Sequence, residues 1–181
     1  ANLETGCGNE GRLRQYRIAG IEPRYSQPLS FGALAGELDA GVRLHREVQA
    51  RVQVNGAAHD SRSAGPTGNP GSGILEDNLR STSAVAGFVQ ARVGGLTWSV
   101  TPGLRVEQIA IRRSNRRPLA GAPSGVAGET SLTEIIPGIG ATLAPTAHLT
   151  VFAGAHRGFA PPRNEDIISN TTGGVLELDP E

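Results

Sequence analysis

Three observations predict an all-β chain, an antiparallel transmembrane β-barrel segment of about six up-and-down strands. First, the stretch from Glu37 to Val54, ELDAGVRLHREVQARVQV, places Leu38, Ala40, Val42, Leu44, Val48, Ala50, Val52 and Val54 on one parity and mostly polar residues on the other. Second, the rest of the chain breaks at Gly, Pro, Ser and Asn clusters into further alternating segments, and helical periodicity is nearly absent. Third, the connections between those segments alternate between short and long.

A helix turns each residue by about 100° and would scatter the apolar side chains of Glu37 to Val54 around its axis, whereas a strand places every second one on the same face. Strands of soluble domains usually run about 3 to 10 residues. One of roughly eighteen, tilted near 45° at about 3.3 Å per residue, rises about 40 Å and crosses a bilayer with length to spare. Arg46 alone breaks the apolar parity. It would cost about 2 to 4 kcal/mol at the bilayer midplane, so it is expected outside the hydrocarbon zone.

The remaining elements follow in order. Residues Arg14 to Tyr25 form a first segment with Ala19, Ile21, Pro23 and Tyr25 on one parity. A third, Ser81 to Val93, is small and apolar on both faces, which leaves its orientation open. Alternation returns from Leu96 to Arg112, with Trp98, Val100, Pro102, Leu104 and Val106 together, then from Glu134 to Leu143, and finally from His148 to His156. Gly94-Gly95 and Ala144 to Ala147 are expected to be tight turns, Ser26 to Gly36 an intermediate connection, and Asn55 to Arg80 and Arg113 to Thr133 long polar loops. Tight turns on one side and long loops on the other are the barrel pattern. Tyr25 and Trp98, beside the shorter connections, are expected in an interfacial aromatic girdle.

Composition removes several function classes. The formal charge of the 181 residues is zero, which gives no electrostatic case for nucleic acid. All 17 basic residues are arginine, a bias we assign to genome composition. No run of eighteen apolar residues exists, which excludes a transmembrane helix and says nothing of a barrel. Cys7, the single cysteine, fits an inert thiol or a partner beyond the chain, and fixes no compartment. There is no GxSxG elbow, zinc spacing or phosphate loop, so no catalytic residues and no cofactor are expected. His45, His59, His148 and His156 fall in separate segments, and no metal site is expected. Glu76-Asp77 and Glu165-Asp166 read as solvated loop charge.

Five strings together, AGIEPRYS (19–26), AGFVQARV (86–93), TPGLRVEQ (101–108), HRGFAPPR (156–163) and LDPE (178–181), resemble the β-barrel domain of TonB-dependent outer-membrane receptors, most like the ferric dicitrate receptor branch. The resemblance implies a twenty-two-stranded barrel around a plug. Residues 1–181 would all belong to the barrel, with the plug domain, the TonB-coupling segment and the closing carboxy-terminal strands lying outside. It further implies a non-enzymatic receptor for a ferric chelate, citrate or a siderophore, in the outer membrane of a Gram-negative bacterium, with the plug, the TonB complex and the bilayer as partners. A passive porin and a soluble β-sandwich binding module are the alternatives.

Within that frame the polar parity, with Arg43, His45, Glu47, Arg51, Arg105 and Glu107, would face the lumen and the plug. An anionic ferric chelate calls for arginine, whose planar fork grips carboxylates through paired hydrogen bonds. Arg112, Arg113, Arg116 and Arg117 open one long loop, and Arg157 and Arg163 flank GFAPP. These six are the candidate ligand-binding residues, although a solvated charged rim would carry the first four equally well, and packing could account for the last two.

Overall fold

The computed structural model describes residues 10–58, 61, 65, 73–117, 125–161, 168–169 and 172–175. Among them one antiparallel sheet contains β1 (Glu10–Ile21), β2 (Arg24–Phe31), β3 (Leu34–Asn55), β4 (Gly73–Gly94), β5 (Trp98–Asn115), β6 (Val126–Thr146) and β7 (Leu149–His156). Both β1 and β2 lie against β3, the first from Glu10↔Asn55 to Ile21↔Leu44 and the second from Arg24↔Gly41 to Phe31↔Leu34. They are one pass of chain interrupted at Glu22-Pro23. Proline has no N–H for the ladder, and its carbonyl there accepts from Val42 N at 3.2 Å. The sheet therefore makes six up-and-down passes, as the alternation predicts.

Three expected connections are shorter than the sequence suggests. Residues 73–80 belong to β4, not to the loop expected over Asn55 to Arg80. The loop expected over Arg113 to Thr133 loses its ends to β5 and β6, and Ser26 to Gly36 is β2 plus a two-residue turn. The physical reason is common to the long loops: once a strand rises beyond the apolar zone, both its faces mix polar with apolar residues and the period-2 contrast fades. All three short turns, Gly32-Ala33, Gly95 to Thr97 and Ala147-His148, lie at one end of the sheet. Gly32 takes φ 62°, the left-handed region that a side chain resists and a two-residue hairpin needs.

Register fixes the two faces. From the turn end upward, one face carries Leu38 to Leu44 on β3, Val93 to Val85 on β4, Trp98 to Val106 on β5, Leu143 to Ile135 on β6 and Leu149 to Ala155 on β7, every second residue. The first polar residue above each run is Arg46, Ser83, Gln108, Thr133 or Arg157, and on β1 Arg17 follows Ile21 and Ala19. The run from Leu34 to Leu44 rises about 24 Å at a tilt near 45°, close to the ~25 Å apolar band of outer-membrane barrels. Leu104 and Ile135 remain 43% and 54% exposed, because the band has no protein cover among the described residues. Register also settles the orientation left open for Ser81 to Val93: Val85, Val89 and Val93 join the band, and Ala84, Ala86 and Phe88 take the opposite face. Arg46 ends this run on β3, opposite Ala19 and Ser83. Trp98 closes the turn end, whereas Tyr25 lies opposite Ala40 in mid-band and Phe31 takes the girdle position instead.

Candidate functional site

The polar face concentrates its buried chemistry at the loop end. Alternation brings Gln49 and Arg51 on β3, Glu76, Asn78 and Arg80 on β4, and Arg113 and Asn115 on β5 to the same side, with Arg51 opposite Asn78 and Arg80 opposite both Gln49 and Arg113. Three guanidinium groups converge on one carboxylate. Arg51 Nε lies 3.0 Å from Glu76 Oε2, Arg80 Nη2 lies 3.1 Å from Oε1, and Arg113 Nη2 lies 3.6 Å from Oε1. Asn78 Nδ2 also donates to Oε1, and Arg113 Nε donates to Asn78 Oδ1 at 3.2 Å. Glu76 and Arg80 are each 7% exposed, Arg113 is 5% exposed and Asn78 fully buried. Taking a carboxylate out of water costs several kcal/mol, which only opposite charge and hydrogen bonds of this quality offset.

A strap of chain closes over the cluster. Arg113 Nη1 donates to the carbonyl of Ile168 at 2.8 Å, and the Ile168 side chain, 1% exposed, packs on Ile109 and Ile111 with Ala84, Leu132 and Phe159 around it. Ile168 and Val175 pair with each other as an isolated antiparallel bridge. The strap runs so close to β6 that a Cβ on Gly128 would come within 2.3 Å of the Gly173 carbonyl oxygen. Only glycine lets the two backbones meet there.

The predicted ligand residues scatter. Arg112 and Arg113 are neighbours in a strand and point to opposite faces, so Arg113 joins the buried cluster while Arg112 stands exposed opposite Glu129. Arg116 is tied to Asp77 Oδ1 at 2.5 Å and Arg117 to the Leu75 carbonyl at 2.9 Å. Arg157 pairs with Glu134 at 2.9 Å and donates to the Ile135 carbonyl at 3.2 Å, while its backbone N–H extends the β7 ladder to Pro137. Arg163 lies outside the described residues, as do Cys7, His59, the Glu165-Asp166 pair and the LDPE end. The four arginines expected to open one binding loop therefore do not form one site.

Arg43, His45, Glu47, Arg51, Arg105 and Glu107 share the face opposite the apolar band. Arg43 Nε approaches Glu22 at 3.8 Å, and Arg105 Nε donates to Glu107 Oε1 at 2.6 Å. Lower on the same face Asp39 accepts from Ser26 Oγ at 2.5 Å and from Gln90 Nε2 at 3.1 Å. No group of three His, Cys, Asp or Glu side chains spaced to hold a metal ion occurs among the described residues.

Residues 5–181 match the family model described as TonB dependent receptor-like, beta-barrel. The chain belongs to that family. Among solved structures it is similar to the ferric citrate transporter FecA in its unliganded form, with a TM-score of 0.74 and 27% sequence identity over 87% of this chain. The chain spans 22% of the length of that transporter. Membership sets aside the soluble sandwich and the open porin, and it places this barrel segment in a family of receptors rather than enzymes. Of the buried cluster, sequence reasoning put Arg51 on the polar parity and named Arg113 as a loop arginine, but it read Glu76 as solvated loop charge and passed over Arg80. Glu76, Asn78 and Arg80 at every second position were the available signal, masked by Asp77 on the opposite parity.

Proposed function

We propose that the complete receptor imports an anionic ferric chelate across the outer membrane of a Gram-negative bacterium, energised through TonB, and that the Arg51, Arg80 and Arg113 cluster on the barrel wall meets the chelate's carboxylates. One observation carries the reading: three buried guanidinium groups share a single carboxylate among the described residues. Keeping guanidinium groups buried is costly, so the wall holds them in fixed positions facing the polar side. A carboxylate-rich ligand entering from the loop end would engage the arginines through charge-assisted hydrogen bonds of the kind Arg80 makes to Glu76. Arg157 would stand nearer the rim as a first contact.

On this reading the polar face lines the lumen, and Arg43, His45, Glu47, Arg105 and Glu107 face the plug. Arg43 pairs with Glu22 and Arg105 with Glu107, so part of that face is ordered before it meets a second domain. Similarity to the ferric citrate transporter supports citrate as the first chelate to try, with carboxylate siderophores next.

The test is equilibrium binding of ferric citrate and of carboxylate siderophores to the complete receptor, alongside iron uptake by cells. Arg80→Gln or Arg113→Gln removes one charge-assisted contact, worth about 1.5 to 3 kcal/mol, and should weaken binding about ten- to a hundredfold. Unchanged affinity in both variants, with the fold intact, would reduce the cluster to a structural tie for the strap.

A further inference from the structure

Arg46 interrupts the apolar parity of the longest alternating stretch, and nothing in chelate uptake explains it. Its surroundings supply the explanation. Arg46 lies opposite Ala19 on β1 and Ser83 on β4, and Arg17 lies opposite Val48, so the two arginines are diagonal neighbours on the band side of the sheet. Diagonal positions stand about 7 to 8 Å apart, within reach of long side chains converging on one group. Both are exposed. Neither forms an ion pair with a described residue. The band side carries only two carboxylates among the described residues. Asp77 is bound to Arg116 and Glu129 faces Arg112, so no acid balances Arg17 and Arg46.

Directly below lies an apolar groove of about 620 Å³, bordered on the band side by Tyr25, Val42, Val89, Leu104 and Val106. Gly87 forms its floor, and a Cβ built there would meet nothing within 4 Å. Val42 is four residues from Arg46 along the same face, about 13 Å down the strand. A charged clamp, a serine hydroxyl beside it and an apolar channel beneath it match an amphiphile standing parallel to the strands. Two uncompensated cations match a phosphate monoester, which carries about −1.5 to −2 at neutral pH, better than a diester with a single charge.

We propose that Arg17 and Arg46 hold the phosphate monoester of a membrane lipid, assisted by Ser83, with one acyl chain of that lipid lying in the Gly87 groove.

The experiment reconstitutes the complete receptor in phosphatidylcholine nanodiscs doped with either phosphatidic acid or phosphatidylglycerol, and counts retained lipid by native mass spectrometry. The wild type should retain phosphatidic acid about tenfold over phosphatidylglycerol. Arg17→Gln with Arg46→Gln should abolish that preference, Arg17→Lys with Arg46→Lys should keep most of it, and Gly87→Leu should reduce retention about threefold by filling the channel. Heat-modifiable migration in detergent gels verifies that each variant is a folded barrel. Equal retention of the two lipids by the wild type, or an unchanged preference in the double glutamine variant, would overturn the proposal. Release of the lipid by inorganic phosphate alone would do the same, since it would mark a simple ion site with no part for the groove.

Discussion

Replacing Glu76 by glutamine keeps the shape of the buried cluster and removes the one negative charge that the described residues supply to it. At an effective dielectric near 20, each guanidinium contact about 3 Å away contributes about 5 kcal/mol of attraction, most of it offset by the desolvation of the ions. What remains is the penalty for breaking the set. Arg51, Arg80 and Arg113 would be left buried around a neutral amide, a change of about 3 to 5 kcal/mol. The loss should be local, because Arg113 also holds the Ile168 carbonyl at 2.8 Å and with it the strap. Hydrogen exchange on the complete receptor reads this directly. The Ser169 and Gly173 amides, bonded to Gly174 O at 2.9 Å and Ser169 O at 3.1 Å, should exchange about a hundredfold faster in Glu76→Gln, the equivalent of the lower bound. Protection of both amides that stays within about threefold of wild type would refute the idea that this ion cluster secures the strap.

Two further outcomes test the faces and the close approach. Leu104→Arg should destabilise the receptor in lipid vesicles by about 2 to 4 kcal/mol in urea titrations, whereas Gln108→Arg, above the band on the same strand, should cost less than about 1 kcal/mol; equal costs would contradict the assigned edge of the band. Gly128→Val forces atoms into the space held by the Gly173 carbonyl and the Ile168 methyl, 2.3 and 2.8 Å from a Cβ. Limited proteolysis of that variant should cut within the strap at low protease concentrations that leave wild type whole, with the barrel still folded.

The sequence carried the architecture wherever the two sides of a strand meet different media. Glu37 to Leu44 and Trp98 to Val106 could be read residue by residue, because an apolar band on one face and a polar face opposite impose contrast at every step. Residues 73–80 could not, since Leu75, Asp77 and Leu79 on one side offer no consistent opposition to Glu76, Asn78 and Arg80 on the other. The β1–β2 interruption was equally hidden: Ala19, Ile21, Pro23 and Tyr25 keep the same parity through the break, and only pairing with β3 reveals it. The candidate site was the least legible part. Adjacent arginines look like one patch in a string of letters, yet in a strand they part company, and the partners of Arg113 come from residues 37 positions upstream at Glu76 and 55 downstream at Ile168.

The upper edge of the apolar band also acts as a protractor. Val85 is level in the ladder with Leu44, but on β5 the last apolar residue is Val106, two residues nearer the turns than Gln108, the partner of Val85. Between β6 and β7 the edge drops again, by four residues, because Ala155 faces Ile139 and not Ile135. A slide of about 20 Å across four strand spacings of about 4.8 Å each corresponds to an angle near 45° between the ladder rungs and the membrane plane. Residues joined by a rung therefore sit at different depths: Ala155, at the upper edge of the band on β7, shares its rung with Ile139, four residues below the edge on β6.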